Sequence, residues 1–451
     1  MRALLVGVPG FHTQDEPMFP LGIGYLISSL NKGGHEAVGA YFIREEHIWQ
    51  SLPIFLSRFN PDLVGISCNT FNRGMVRKTV KFVKYLNHDA KVVLGGVHSS
   101  YLSHQAIRDY GADYVVIGEG EESLVDLCNC LEKGESLVGV SGIAWKDENN
   151  SIYSGRRGLL RNLDSLPPPD YSFASHMIQE SNMGYVITSR GCPVRCKFCS
   201  SGSFWGQEVR SHSPVRVIHD IESQVGRFGV NRIRFHDNTF NFDADRVIEI
   251  CNLILKRGLK ITWGASCRVS PISSDMIGLM VESGCRDIAW GVESGSKTML
   301  EKMGKKITQE QIRYAYELCE PYIRLGVLST RTYTMVGFPG ETDETVQESI
   351  DFLNSLLMTH RPECQVVYVL PGTQLWEDQN VVGDNYWTDT DEVLYVNRIT
   401  GQDSGVLYRW AKAIEDSGKR TPFDPDRHFW KGVTSGKIPE PKNPVFSGAT
   451  V

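Results

Sequence analysis

Cys192, Cys196 and Cys199 fall within one short run, Arg190-Gly191-Cys192-Pro193-Val194-Arg195-Cys196-Lys197-Phe198-Cys199. Thiolates are the usual ligands of iron–sulfur clusters, and a cubane has four irons to ligate. Three closely spaced cysteines therefore leave one iron of a [4Fe-4S] cluster without a protein ligand, free to bind a molecule that reacts there. Structural zinc is the competing reading. It takes four ligands, commonly as paired C-x2-C or Cys/His groups. No second pair follows here, and His212, the nearest downstream candidate, stands alone.

The spacing C-x3-C-x2-C, with Phe198 directly before the last cysteine, resembles the radical S-adenosylmethionine (SAM) superfamily. The resemblance implies that Cys192, Cys196 and Cys199 hold the cluster and that its open iron chelates the amino and carboxylate groups of SAM. One electron from the cluster then breaks the sulfonium to give a 5′-deoxyadenosyl radical.

Elements must position that loop, and the chain is long enough for two or three domains at 451 residues. Its 41% hydrophobic and 22% charged residues are those of a globular protein. A net charge of −6 gives no global pull toward nucleic acid or anionic membrane. The apolar start Met1–Val8 is too short for a signal peptide and ends in Pro-Gly, so it reads as a buried first strand. No segment is apolar for long enough to span a bilayer. The remaining cysteines are scattered singly apart from Cys128 and Cys130, a reduced pattern that gives a cytoplasmic expectation.

Residues 1–140 alternate short apolar runs with amphipathic stretches. Strands are expected at Ala3–Val8, Leu63–Ser67, Lys91–Leu94 and Tyr114–Ile117, and helices at Gly22–Lys32, Arg73–Leu86 and Glu122–Glu132. This is the pattern of a doubly wound, Rossmann-like α/β sheet, which binds ligands beyond the carboxyl ends of its strands. Those ends carry Leu21-Gly22, Ser67-Cys68-Asn69-Thr70, Gly95-Gly96-Val97-His98 and Gly118-Glu119. The residues alone define a generic cleft that a nucleotide or flavin would also fit, although the G-x-G-x-x-G dinucleotide turn is missing.

In order and spacing these loops resemble the cobalamin-binding domain that precedes the radical module of class B radical SAM methyltransferases. The resemblance implies cobalamin contacts from Leu21, Gly22, Ser67, Asn69, Thr70, Gly95, Gly96, His98, Gly118 and Glu119. His98 is expected to touch the corrin or its tail. The D-x-H-x-x-G motif that supplies a cobalt-ligating histidine is absent, and His12 lies in the first loop without that context. Cobalamin is therefore expected with its benzimidazole tail displaced and no histidine on cobalt.

Residues 141–182, with Pro167-Pro168-Pro169, read as a stiff linker. Over 183–375 the βα alternation resumes, with strands expected at Tyr185–Thr188, Arg232–His236, Ile261–Ala265, Asp287–Gly291, Ser329–Val336 and Gln365–Val369. Six βα units fit a partial (β/α)6 TIM-type barrel whose site lies at the carboxyl ends of the strands. The resemblance then assigns SAM contacts, besides Phe198, to Asp237 and Asn238 after the second strand and to Ser266 and Arg268 after the third. It assigns further contacts to Glu293 and Ser294 after the fourth and to Gly337 after the fifth. Asp237 would accept from the SAM ammonium, and Arg268 suits its carboxylate. The Asp-Asn pair could instead cap the helix starting near Asp243. Cys251, Cys267, Cys285, Cys319 and Cys364 read as buried thiols.

Residues 376–451 form a small C-terminal region rich in aromatics (Trp387, Tyr395, Tyr408, Trp410, Phe423, Phe429, Trp430), read as core of a closing domain or as a wall of the substrate pocket. The tail Lys437–Val451, rich in Pro, Gly and Ser, reads as extended or disordered.

The resemblance implies a cobalamin-dependent radical SAM C-methyltransferase of the EC 2.1.1 type. One SAM makes methylcobalamin, a second yields the radical, and an unactivated carbon receives the methyl group. The expected substrate is an amino-acid carbon in a peptide or protein, such as a residue of methyl-coenzyme M reductase, with an antibiotic precursor or lipid as alternatives. A flavodoxin- or ferredoxin-type electron donor is implied. The competing classes are a family member that cyclises or rearranges its substrate without methyl transfer, and a cobalamin or iron–sulfur sensor that cleaves no SAM.

Overall fold

The computed structural model describes residues 1–10, 19–147, 152–378, 402 and 404–420. His12, Trp387, Tyr395, Phe423, Phe429, Trp430 and the tail 437–451 lie outside them. The chain divides into two compact units, with a boundary between Ser181 and Asn182.

The first unit is built on strands β1 (Arg2–Gly7), β2 (Glu36–Tyr41), β3 (Leu63–Ser67), β4 (Lys91–Gly95), β5 (Tyr114–Val116), β6 (Ile143–Lys146) and β7 (Ile152–Ser154). They form one sheet in the order β2-β1-β3-β4-β5-β6-β7. The first five are parallel, and β6 and β7 pair antiparallel along the edge. Leu4, Val6, Val64, Ile66, Val92 and Leu94 pack on one face, while Ala3, Leu5, Leu63 and Val93 pack on the other. Burial on both faces explains why these strands read as continuous apolar runs.

The sequence expectation passed over β2, the helix Glu45–Phe59 and the antiparallel edge. Segment 141–182, expected as a connector, packs onto this sheet: Tyr171 and Phe173 each place their rings 5.3 Å from Phe19. Burial of Leu163, Tyr171 and Ala174 is what holds it there.

The second unit opens with β8 (Met183–Val186), followed by a short antiparallel ladder between β9 (Ser189–Arg190) and β10 (Arg210–Ser211). The main sheet continues through β11 (Arg232–Phe235), β12 (Thr262–Cys267), β13 (Cys285–Glu293) and β14 (Ser329–Val336). After the two-residue β15 (Leu357–Met358) it ends at β16 (Glu363–Val366). All six main strands are parallel in simple succession, β8-β11-β12-β13-β14-β16, which is the arrangement of an open (β/α)6 barrel.

Helices connect the strands and are capped by their own sequence. Ser213 accepts from the Arg216 N–H ahead of Pro214, and Asp243 itself, not the Asp237-Asn238 pair, accepts from the Arg246 N–H. Thr308 and Gln311 form a capping box on Gln309–Arg324.

Register gives this sheet two unlike faces. Phe235, Trp263, Ile288 and Trp290 are buried on the helix side, where the Trp263 indole donates to the Ser283 carbonyl at 3.1 Å. The opposite face is polar: Tyr185, Arg234, Gly264, Asp287 and Ser329 share one row, and Ser266, Ala289 and Arg331 share the next. Helix Ser404–Glu415 buries Trp410, whose indole donates to Asp343 at 2.6 Å, while Tyr408 is exposed. Its following strand β17 (Lys419–Arg420) pairs with β15. Of the C-terminal aromatics within the described residues, Trp410 is thus a packing residue. No described helix is long and apolar enough to cross a membrane.

Candidate active site

The three cysteines lie on the loop that leaves β8 and β9 at their carboxyl ends. Gly191 turns the chain with φ +105°, a left-handed conformation, against the Glu208 carbonyl, where no Cβ would fit. The Cys192 N–H donates to the Gly206 carbonyl at 3.1 Å and the Lys197 N–H to the Met303 carbonyl at 3.0 Å; the Lys197 carbonyl accepts from Leu375 at 3.0 Å. The loop is therefore tied to three separate parts of the second unit. Cys199 is exposed, and Cys192 and Cys196 are half-buried. Burial pushes the Cys196 thiol up to about 11, with Lys305 and Arg268 opposing and Cys199 and Glu293 adding to the rise.

The thiols are not drawn into a preformed ligand group: among the described residues no three His, Cys, Asp or Glu side chains gather as a metal site. The donor set still fits an iron–sulfur cluster, being three thiols on one anchored loop.

Arg268 and Glu293 are the expected SAM residues that come together beside Cys196. The Arg268 guanidinium donates to the Lys305 carbonyl at 2.9 Å, and its backbone is held by Asn241, which donates to the Arg268 carbonyl at 2.7 Å and accepts from its N–H at 2.9 Å. Glu293 pairs with the Lys305 ammonium at 2.5 Å. Asn238 is exposed and accepts from Ser201, just past the cysteines, at 3.3 Å. Phe198 is half-buried on the loop itself.

The others are committed elsewhere. Ser266 accepts from Arg234 at 3.0 Å; Ser294 bonds Ser349 at 3.0 Å within a turn; the Gly337 N–H donates to the buried Glu341 carboxyl. Asp237 is buried with both oxygens occupied. It accepts the Thr188 N–H at 3.1 Å, the Thr188 hydroxyl at 2.7 Å and the Ser189 hydroxyl. These bonds make Asp237 a brace for the strand end that leads into the cysteine loop.

Several residues here escaped the sequence reading. Arg234 crosses the bare backbone of Gly264 to reach Asp287 at 3.2 Å, and Arg331 meets the same carboxylate oxygen at 3.0 Å. Burial would raise the Asp287 carboxyl, but Arg331 and Arg234 hold it below the usual carboxylate range. The His236 Nε2, near the end of β11, is closed off from solvent without a hydrogen-bond partner, and burial plus Arg234 bring its pKa down to about 3, leaving the ring neutral. Charged residues alternating through otherwise buried strands, as in Arg232-Ile233-Arg234-Phe235, were the available signal.

In the first unit the order β2-β1-β3-β4-β5 places the topological switch between β1 and β3. Asn72 spans it, donating to the Ser67 carbonyl at 3.1 Å and the Val8 carbonyl at 3.4 Å. Ser67 and Asn69 are exposed, as is Gly22, which has open space at its Cα; Gly95, Gly96, Gly118 and Glu119 are half-buried. Gly96, at φ +105°, brings its Cα so near the Cys68 carbonyl that a Cβ would lie 2.7 Å from that oxygen. Ser100 ties two loops, donating to the Gly96 carbonyl at 2.7 Å and accepting from the Gly118 N–H at 2.9 Å. Glu119 accepts from the Leu160 N–H at 2.9 Å.

Leu21 and Thr70 are buried. His98 is 1% exposed, with Nδ1 3.1 Å from the Thr70 hydroxyl and Nε2 3.2 Å from the Tyr110 hydroxyl. Burial lowers its pKa to about 3. Both ring nitrogens are thus held inside the unit, where His98 braces the loops. What remains open at these strand ends, small residues with a hydroxyl and an amide, fits a large flat cofactor approached by backbone.

Comparison with known proteins agrees with both halves. The B12 binding domain matches residues 11–128, and the Radical SAM superfamily matches residues 186–353. An uncharacterized methyltransferase of Pyrococcus horikoshii is 31% identical over 402 residues, covering 87% of this chain and 86% of that one. The anaerobic magnesium-protoporphyrin IX monomethyl ester cyclase of Cereibacter sphaeroides is 27% identical over 349 residues, covering 73% of this chain and 55% of the cyclase. Among solved structures, the radical SAM methyltransferase TsrM of Kitasatospora setae superposes with a TM-score of 0.73 at 20% identity, over 85% of this chain and 77% of that one. With the Pyrococcus methyltransferase alike along nearly its whole length, and a B12 domain set ahead of a radical SAM sheet, the chain belongs to the cobalamin-dependent radical SAM methyltransferase family.

Proposed function

We propose that this protein transfers a methyl group to an unactivated carbon of an amino acid within a peptide or protein, such as a residue of methyl-coenzyme M reductase. The observation that carries C-methylation is the pairing, in one chain, of the anchored three-cysteine loop with the open strand ends of a B12-type sheet. The near-neutral charge and modest size support the substrate class. When bound, the cluster and SAM supply a radical able to take hydrogen from carbon, and cobalamin supplies the methyl group.

The chain's own residues hold and orient. Cys192, Cys196 and Cys199 would ligate the cluster. Phe198, Asn238, Arg268 and Glu293 would line the SAM site, with Ser266, Ser294 and Gly337 shaping it and Asp237 fixing the loop. Gly22, Ser67, Asn69, Gly95, Gly118 and Glu119 would meet cobalamin, backed by Leu21, Thr70, Gly96 and His98. Such positioning is the protein's main contribution when cofactors carry the chemistry.

The reduced, reconstituted protein is to be incubated with cobalamin, methyl-deuterated SAM and a panel of peptides and proteins. A product carrying the labelled methyl group is expected. 5′-Deoxyadenosine with an unlabelled, ring-closed or rearranged product would replace methylation with the second reading, which the similarity to the cyclase favours. Absence of 5′-deoxyadenosine would leave a sensor.

A further inference from the structure

We propose that Lys305 is the residue that couples the cysteine loop to the SAM site, positioning Glu293 by a buried ion pair; this rests on the SAM site read above. The short segment Met303–Lys306 touches the cysteine loop, Arg268 and Glu293. Its Met303 carbonyl accepts from the Lys197 N–H, between Cys196 and Cys199, at 3.0 Å. Its Lys305 and Lys306 carbonyls accept from the Arg268 guanidinium at 2.9 and 3.4 Å. The Lys305 ammonium reaches Glu293 at 2.5 Å, with both side chains about nine-tenths buried.

Two backbone features show that the pair is built in. Glu293 stands at φ +68°, where a residue with a side chain is strained, and the β13–β14 register shifts between Gly291 and Glu293. Gly291, beneath the pair, leaves the room the ammonium occupies: a Cβ there would lie 2.9 Å from Nζ. A strained carboxylate aimed by a buried lysine, on the segment that also anchors the cysteines and Arg268, transmits the loop's position to the groups that would hold SAM. Lys305 acts through Glu293 and is a positioning residue.

The test uses the full-length, cluster-reconstituted protein. Lys305→Met, Lys305→Arg and the double variant Lys305→Met/Glu293→Gln are compared for iron content, thermal melting, SAM dissociation constant and the change that SAM causes in the EPR spectrum of the reduced cluster. Breaking one partner of a buried pair leaves the other uncompensated, so Lys305→Met is expected to melt lower, and the double variant to recover. SAM affinity is expected to fall about 10- to 100-fold in both, as for loss of a supporting residue behind a ligand. Lys305→Arg is expected to retain most of the affinity. Recovery of SAM affinity together with melting in the double variant would show a merely structural pair and overturn the proposal. So would wild-type affinity in Lys305→Met at equal iron content. If the wild-type cluster shows no response to SAM at all, the functional reading itself fails, whatever the variants do.

Discussion

Asp237 shows how a motif residue can be legible in kind and opaque in role. An acid after the second barrel strand is readable from spacing, but its partners Thr188 and Ser189 lie 49 and 48 positions away and appear only on folding. Removing a buried acceptor strands its donors, here including the Thr188 N–H. Asp237→Ala is therefore expected to cost roughly 3 kcal/mol of stability in the apoprotein by urea unfolding. A loss below about 1 kcal/mol would be that of a solvent-facing side chain and would return Asp237 to a ligand-facing place. Lys305 was hidden for the same reason as the partners of Asp237. The cysteines were legible because their chemistry is written in local spacing, whereas a brace is defined by what it reaches across the fold.

At the scale of elements, apolar runs buried on both faces and the amphipathic helices that follow them, as at Arg73–Leu86, were visible in the sequence. The β2 strand and the helix after it were not, for physical reasons. β2 is an edge strand reading Glu-Ala-Val-Gly-Ala-Tyr, its Gly39 lying against Phe173 and Ile27, and the helix carries Pro53 in its interior. Gly337 was legible at the end of the fifth strand, but the titrating carboxyl that its N–H meets, Glu341, was not. Burial pushes the Glu341 carboxyl up to about 7, against the pull of the Gly337 and Phe338 N–H groups and Lys302. With its folded pKa above the unfolded value near 4.5, Glu341 contributes stability that is full below about 4.5 and lost as pH rises through about 7. The span corresponds to roughly 3 kcal/mol. Urea midpoints measured from pH 5 to pH 8 should fall more steeply for the wild type than for Glu341→Gln, which keeps an acceptor for Gly337 without a proton to lose. Parallel slopes would place the titration elsewhere.

Across the whole molecule, βα alternation carried the fold class of both units, because parallel sheets buried on both faces write their strands in apolar runs. Which carbon is methylated is not written that way, since it depends on side chains gathered from distant strands. The two apolar clusters described for the first unit draw on residues from Met1 to Phe173, and the described backbone anchors of the cysteine loop are Gly206, Met303 and Leu375 of the second. The cluster-ligating cysteines and the Gly96 turn belong to different units, so the two cofactor sites are expected to fail separately. The triple variant Cys192→Ala/Cys196→Ala/Cys199→Ala is expected to lose iron and 5′-deoxyadenosine formation while keeping cobalamin at wild-type stoichiometry, read from the corrin absorbance after gel filtration. Gly96→Ala should do the reverse. Its Cβ would press on the Cys68 carbonyl, a backbone atom that cannot swing aside, and the left-handed φ adds strain of order 1 kcal/mol. Cobalamin should drop out of that variant while iron content and SAM cleavage persist. Methyl transfer, which needs both cofactors in one turnover, should vanish in each. Loss of cobalamin from the cysteine variant, or of iron from Gly96→Ala, would mean that loading of one unit depends on the other and would overturn this expectation.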